Sequence, residues 1–410
     1  MPSTNFNPQS QLSHQQLGLL ATGLLTIAIG QSFIFAILPP LGRDVGFSEI
    51  QINIVISSSA LIFSVGSALW GGLSDRWGRK PIILVGLAGY AAGNLGFALT
   101  FEAALSGWLL GLPLFVVALV LRCGQSVIMS ATNPACAAYA ADYSLPQQRT
   151  KTLAKLGTAN SLGMIVGPVL AGALAGFGLL LPLYIATLLA SGATIVVAWR
   201  LAPDHRSETE PREHKRLAIL DPRVRALLLC SLAAFSGFAG IQQTLAFRLQ
   251  DMLGLSGTQT AQYMGICLMV AALMTLTMQL TVAQRFKGSP IILLRLGIVM
   301  MLLGALTIAA AQSFFWILGG MAAMGAGLGL SAPAIAASAS LAVNPQEQGG
   351  VAGLVSAFPA AGFVIGPLLC GWLYTLSPTL SALGASTILV IALLTALRGT
   401  RTRAHPQAPH

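Results

Sequence analysis

The sequence predicts an all-α membrane protein: twelve transmembrane helices in two pseudo-symmetric six-helix bundles. Three observations carry this. Hydrophobic residues make up 55% of the 410-residue chain and charged residues only 8%, against roughly 25% charged in ordinary soluble domains, and the mean hydropathy is +0.77. A dozen apolar stretches each reach the roughly 20 residues that a spanning helix needs. Finally, the two halves of the chain repeat one another.

In order, residues 1–16 are polar and Gln-rich, without Lys or Arg, and read as a cytoplasmic N-terminal tail. The first apolar stretch is too long for a signal-peptide core, so it is expected to be retained. The first bundle, 17–200, holds spans at 17–40, 50–72, 81–101, 111–140, 153–177 and 180–200. A charged stretch with three prolines, 201–223, reads as a cytoplasmic linker. The second bundle, 224–397, holds spans at 224–249, 258–283, 290–311, 313–340, 350–375 and 378–397, followed by a cytoplasmic tail, 398–410. Long apolar runs exclude an outer-membrane barrel, whose strands alternate over about ten residues.

With both termini in the cytoplasm, all but four of the 22 basic residues (Arg43, Arg122, Arg248 and Arg295) fall on inner segments. This positive-inside bias fixes the expected orientation. It also accounts for the net charge of +10 through the lipid bilayer, with no nucleic-acid partner required. The five cysteines sit in apolar stretches at no metal-like spacing, so no metal site is expected.

Offset by 199 residues, the chain aligns Pro134 with Pro333, Pro146 with Pro345, Gln147 with Gln346, Gly163 with Gly362, Gly167 with Gly366, Pro168 with Pro367 and Gly172 with Gly371. Offset by 209, DRWGRKPIIL (75–84) meets QRFKGSPIIL (284–293). Parallel repeats of this kind are a building plan of secondary transporters, whose substrate sites lie near the midplane.

Three motifs carry chemistry. GGLSDRWGRKP (71–81) joins the second and third spans; Gly71 and Gly72 allow close helix approach, and Asp75 supplies an anion suited to a helix N-terminus. GMIVGPVLAG (163–172) in the fifth span returns as GFVIGPLLCG (362–371) in the eleventh. Gly163, Gly167 and Gly172, like Gly362, Gly366 and Gly371, make a small-residue packing face, and Pro168 and Pro367 each remove a helix hydrogen bond and permit a hinge. LRCGQS in the fourth span places Arg122 well inside the membrane, where a charge is costly and functional by default.

These residues resemble the major facilitator superfamily. Segment 71–81 is similar to its loop signature, the fifth-span motif resembles the one associated with exporters, and Arg122 with Gln125 is similar to its Arg-x-x-Gln-Gly pattern, with Ser126 where Gly is usual. The resemblance implies the two-bundle facilitator fold and secondary active transport of a small molecule by a monomer. It further implies a bacterial inner membrane, a proton gradient as energy source, no cofactor and no enzymatic activity. It implies a cytoplasmic latch or coupling element formed by Gly71, Gly72, Asp75, Arg76, Gly78, Arg79 and Lys80 against the start of the eleventh span. A topogenic loop is the alternative for this segment, and pure packing the alternative for the glycine motifs.

None of the twelve acidic residues falls at the midplane, and Gln31 stands where drug/proton antiporters of this family carry a carboxylate. A cationic drug would lack a counter-charge, whereas an anionic substrate could pair with Arg122. The expected substrate-binding residues are Arg122, Gln31, Gln125, Asn133, Asn160, Gln242 and Gln243, each able instead to be an interhelical hydrogen-bond partner. The expected function is proton-coupled export of a small organic molecule, an anionic metabolite or carboxylate siderophore. A multidrug/proton antiporter, an uptake permease and, from a different class, a membrane sensor or enzyme are the alternatives. Arg295, about a turn inside its span, reads as snorkelling.

Overall fold

A computed structural model of the chain describes residues 12–145, 148–203, 218, 221–344 and 347–398. Most of linker 201–223, most of tails 1–16 and 398–410, and the Pro146–Pro345 and Gln147–Gln346 matches lie outside the described residues. The described residues hold helices α1 (His14–Asp44), α2 (Glu49–Trp77), α3 (Arg79–Leu105), α4 (Gly111–Met129), α5 (Thr132–Asp142), α6 (Arg149–Ala175), α7 (Leu181–Arg200), α8 (Arg225–Leu253), α9 (Gly257–Met278), α10 (Pro290–Ala309), α11 (Phe314–Leu341), α12 (Gln348–Leu376) and α13 (Pro378–Arg398). They supply 12 membrane-length apolar spans, with α4 and α5 together forming the fourth. A π turn, Gln279–Ala283, extends the eighth span beyond α9.

Local chemistry sets the helix ends. Three spans start with the same Ser-x-x-Gln box, Ser13 with Gln16, Ser48 with Gln51 and Ser256 with Gln259, in which side chains and backbone N–H groups bond reciprocally. The fourth span breaks at Ser130–Ala131, between α4 and α5. Pro134 explains this: it has no N–H for the Ser130 carbonyl, and its ring crowds that oxygen. By contrast, Pro168 and Pro367 lie inside unbroken helices.

Segment 71–81, expected as a loop, is almost wholly helical: α2 runs to Trp77, α3 starts at Arg79, and Gly78 alone turns the chain with φ 96° and ψ 155°. Only glycine adopts that conformation without strain. Gly78→Ala is expected to cost about 1–3 kcal/mol, measured as a lowered midpoint of thermal unfolding in detergent.

The chain forms two compact units, Met1–Phe47 with Ile62–Thr209 and Ser48–Leu61 with Glu210–His410. In the first, α6 lies so close to α1 that a Cβ at Gly163 would stand 2.6 Å from the Ala28 Cβ, and one at Gly167 2.5 Å from the Ser32 Cβ. In the second, α12 meets α8 in the same manner: a Cβ at Gly362 would lie 2.9 Å from the Phe235 Cβ, and one at Gly366 would strike the Ser236 carbonyl oxygen. Gly371 abuts Asn53, and Gly172 is buried. A further glycine seam joins α10 to α11, where a Cβ at Gly297 would lie 2.5 Å from the Gly327 carbonyl oxygen, and one at Gly304 2.6 Å from that of Gly320. Within the first unit, nothing lies within 4 Å of a Cβ placed on Gly71 or Gly72.

Candidate functional site

The first unit buries one charge deeply. Arg122, on α4, is 2% exposed. Its Nη1 donates to Gln125 Oε1 at 2.7 Å and its Nη2 to Gln31 Oε1 on α1 at 2.6 Å. Gln125 Nε2 in turn donates to the Tyr90 carbonyl oxygen on α3 at 3.3 Å. Arg122 Nε has no partner, nor does the buried Tyr90 hydroxyl. Among the described residues no carboxylate pairs with Arg122. A guanidinium here is costly, roughly 2.5–3.5 kcal/mol on insertion scales. Two neutral amide oxygens offset part of that cost and leave the positive charge uncompensated. The arrangement is a buried cation oriented by two amides, with its Nε–H left as a spare donor.

The other expected substrate contacts do not all join this cluster. Gln242 and Gln243 lie on α8 in the second unit, 7% and 0% exposed, and neither amide atom of Gln243 has a partner. Asn160 is half-buried on α6, whereas Asn133 is exposed on α5.

The 71–81 signature ties helix ends within the first unit. Arg79 pairs with Asp75 at 2.5 Å and with Asp142, at the end of α5, at 3.0 Å, and its Nη1 donates to Ser74 Oγ at 2.7 Å. Lys80 Nζ donates to the carbonyl oxygens of Ala198 and Leu201 at 2.9 and 2.6 Å, capping the negative end of α7. Arg76 and Asp75 are exposed. Asp142→Asn is expected to weaken the Arg79 contact by no more than about 1 kcal/mol, since the pair is part-exposed.

Tyr90 and Asn94 were not picked out by the sequence. Asn94 Nδ2 donates to the Leu183 carbonyl at 2.7 Å and to Thr187 Oγ1 at 3.1 Å, joining α3 to α7. Their signal is plain in retrospect: a lone tyrosine and a lone asparagine one turn apart in an otherwise apolar run.

In the second unit, Arg223 bridges Asp221 at 2.9 Å and Glu347 at 2.7 Å just outside the spans. Hydrogen bonding to Arg223 holds the Glu347 carboxyl below its ordinary value of 4.5. A depressed carboxyl contributes stability above its unfolded pKa and loses it as pH falls through the folded one. Glu347→Gln is accordingly expected to lessen the fall in thermal stability on acidification below about pH 4.5, and to leave its shape near neutrality unchanged.

Twelve membrane-length spans in two helical units, the first of which buries a cation, mark a polytopic membrane protein. The Major Facilitator Superfamily model matches residues 20–311 and 281–410, and the chain belongs to that family. Multidrug resistance protein 1 of Bacillus subtilis is 23% identical over 383 residues, covering 92% of this chain and 94% of that protein. The class B tetracycline resistance protein of Escherichia coli is 26% identical over 376 residues, with 88% of each chain covered. The chloramphenicol resistance protein of Pseudomonas aeruginosa is 26% identical over 405 residues, covering 96% of this chain and 91% of that one. Among solved structures, a bacterial homologue of the human lysosomal transporter Spinster, in an inward-facing form, superposes with a TM-score of 0.77 at 16% identity, covering 95% and 97% of the two chains.

Proposed function

We propose that this transporter exports a small organic anion from the bacterial cytoplasm, linked to the proton gradient, as a monomer working by alternating access in the inner membrane. The observation that carries the reading is Arg122, a buried guanidinium held by Gln31 and Gln125 with no carboxylate paired to it among the described residues. A carboxylate cargo would supply the missing charge and two strong acceptors. Metabolites or siderophores with carboxylate groups fit this chemistry. Gln242 and Gln243 are second-unit contacts to the cargo in this reading, and the Asp75–Arg79 pair belongs to a latch on the cytoplasmic side, where both termini lie.

A multidrug/proton antiporter is the second reading. The resistance proteins of Bacillus subtilis, Escherichia coli and Pseudomonas aeruginosa, similar along nearly the whole chain, favour it. Transport in inverted vesicles under an imposed pH gradient, with organic di- and tricarboxylates set against cationic dyes, separates the two. Gradient-driven uptake of carboxylates supports anion export. Uptake of cationic dyes alone supports the multidrug reading, and carboxylate accumulation only in right-side-out vesicles indicates an uptake permease.

A further inference from the structure

The Arg122 cluster holds one more polar group, which the anion reading leaves unused. Tyr90, on α3, is fully buried, and its hydroxyl has no hydrogen-bond partner among the described residues. Leaving a buried hydroxyl unpaired costs free energy. The ring tip rests on the backbone of α1, where a Cβ built on Gly30 would strike the hydroxyl oxygen, and the hydroxyl lies within electrostatic range of the Arg122 guanidinium. The residue that follows Gly30 is Gln31. The two amides that hold Arg122 are not themselves held alike. Gln125 is 2% exposed, donates onward to the Tyr90 carbonyl oxygen, and packs over Gly93, where a Cβ would lie 2.7 Å from the Gln125 Cβ. Gln31 is half-buried, and its amide makes one bond among the described residues, the one from Arg122 Nη2. A carboxylate takes two neighbouring N–H groups of a guanidinium. Nε is free and Nη1 is on Gln125, so an incoming carboxylate competes with Gln31 for Nη2.

We propose that Gln31 moves to the Tyr90 hydroxyl when a carboxylate takes its place on Arg122, so that Tyr90 is a positioning residue acting through Gln31. Consecutive Cα atoms lie about 3.8 Å apart, and a hydroxyl resting on Gly30 is within reach of the next side chain through a change of rotamer. Before the exchange one buried donor is unpaired. Afterwards the carboxylate, the Gln31 oxygen and the Tyr90 hydroxyl all have partners, and the spare Arg122 Nε–H is used as well. The inference rests on the anion reading of Arg122 and adds to it how the site clears itself for cargo.

Tyr90→Phe, which removes only the hydroxyl, tests the proposal in the purified full chain and in inverted vesicles, with citrate and succinate as probes. Without carboxylate the variant should unfold about 1–3 °C higher than wild type, because an unpaired buried hydroxyl is gone. With carboxylate its half-saturating concentration should be about three- to tenfold higher, the contribution of one neutral hydrogen bond, at a maximal flux little changed. A residue that only packs would move stability and affinity in the same direction. In a Gln31→Leu background, Tyr90→Phe should leave the half-saturating concentration unchanged, since the amide that uses the hydroxyl is absent. Equal effects in both backgrounds would mean that Tyr90 meets the cargo directly, and would overturn the exchange. So would a Tyr90→Phe protein less stable than wild type without carboxylate, or one that binds carboxylate as wild type does. Wild-type protein that responds to neither probe sinks the anion reading and the exchange with it, whereas the preceding outcomes remove the exchange alone.

Discussion

Arg122→Ala should lower anion flux in inverted vesicles by about 100-fold or more, with the protein still inserting and purifying as a single species. Charge-assisted hydrogen bonds contribute about 1.5–3 kcal/mol each, and a carboxylate bound to the guanidinium would lose at least two, which converts to a factor of that size. Folding should survive, since the variant removes a buried charge that costs free energy and leaves Gln31 and Gln125 as neutral amides able to rearrange. Arg122→Lys should recover only part of the flux: the charge returns, but the planar fork that spans Gln31 and Gln125 does not. Gln31→Leu should fall between wild type and Arg122→Ala, because it releases one of the two groups that aim the guanidinium. Carboxylate flux unchanged in Arg122→Ala would remove the basis of the anion reading.

Gly366→Leu should abolish the folded protein, seen as loss of the monodisperse peak in fluorescence-detected size-exclusion chromatography. The new side chain would be built into the Ser236 carbonyl, a backbone atom that cannot rotate away. Overpacking alone costs about 1–3 kcal/mol where side chains can shift, and a backbone collision leaves only separation of α12 from α8. Gly167→Leu should act likewise in the first unit, against Ser32 and the Ile29 carbonyl. Gly353→Leu, on α12 with nothing within 4 Å, is the control and should leave the peak intact. An intact peak for Gly366→Leu would mean that this seam does not hold the second unit together.

The spans were legible because lipid leaves few options: backbone groups must be satisfied internally, so each crossing is a long apolar helix. The ends were harder to place. Helix α2 continues through Ser74, Asp75 and Arg76 to Trp77, since helical hydrogen bonding persists after the apolar run has stopped. Arg122 was legible by its charge, and Gln31 and Gln125 were named as polar residues facing inward. That they hold the guanidinium between them was not, because the bond to Gln31 spans 91 positions and Tyr90 contributes a carbonyl that any residue would provide. The α10–α11 seam was hidden for another reason. Gly297, Gly304, Gly320 and Gly327 sit among so many small and apolar residues that composition does not single them out, and only the approach of two backbones reveals their purpose.

An arginine held by two amides has a bearing on energetics that an arginine–carboxylate pair would not. Neither arginine nor glutamine exchanges a proton in the physiological range, so the Arg122–Gln31–Gln125 cluster keeps a constant charge from mildly acidic to mildly alkaline conditions. A cargo that docks there as an anion must bring its own ionisation. The profile of initial flux against pH, taken at fixed gradient, would then trace the acid dissociation of each carboxylate tried and shift from compound to compound while the carrier stays the same.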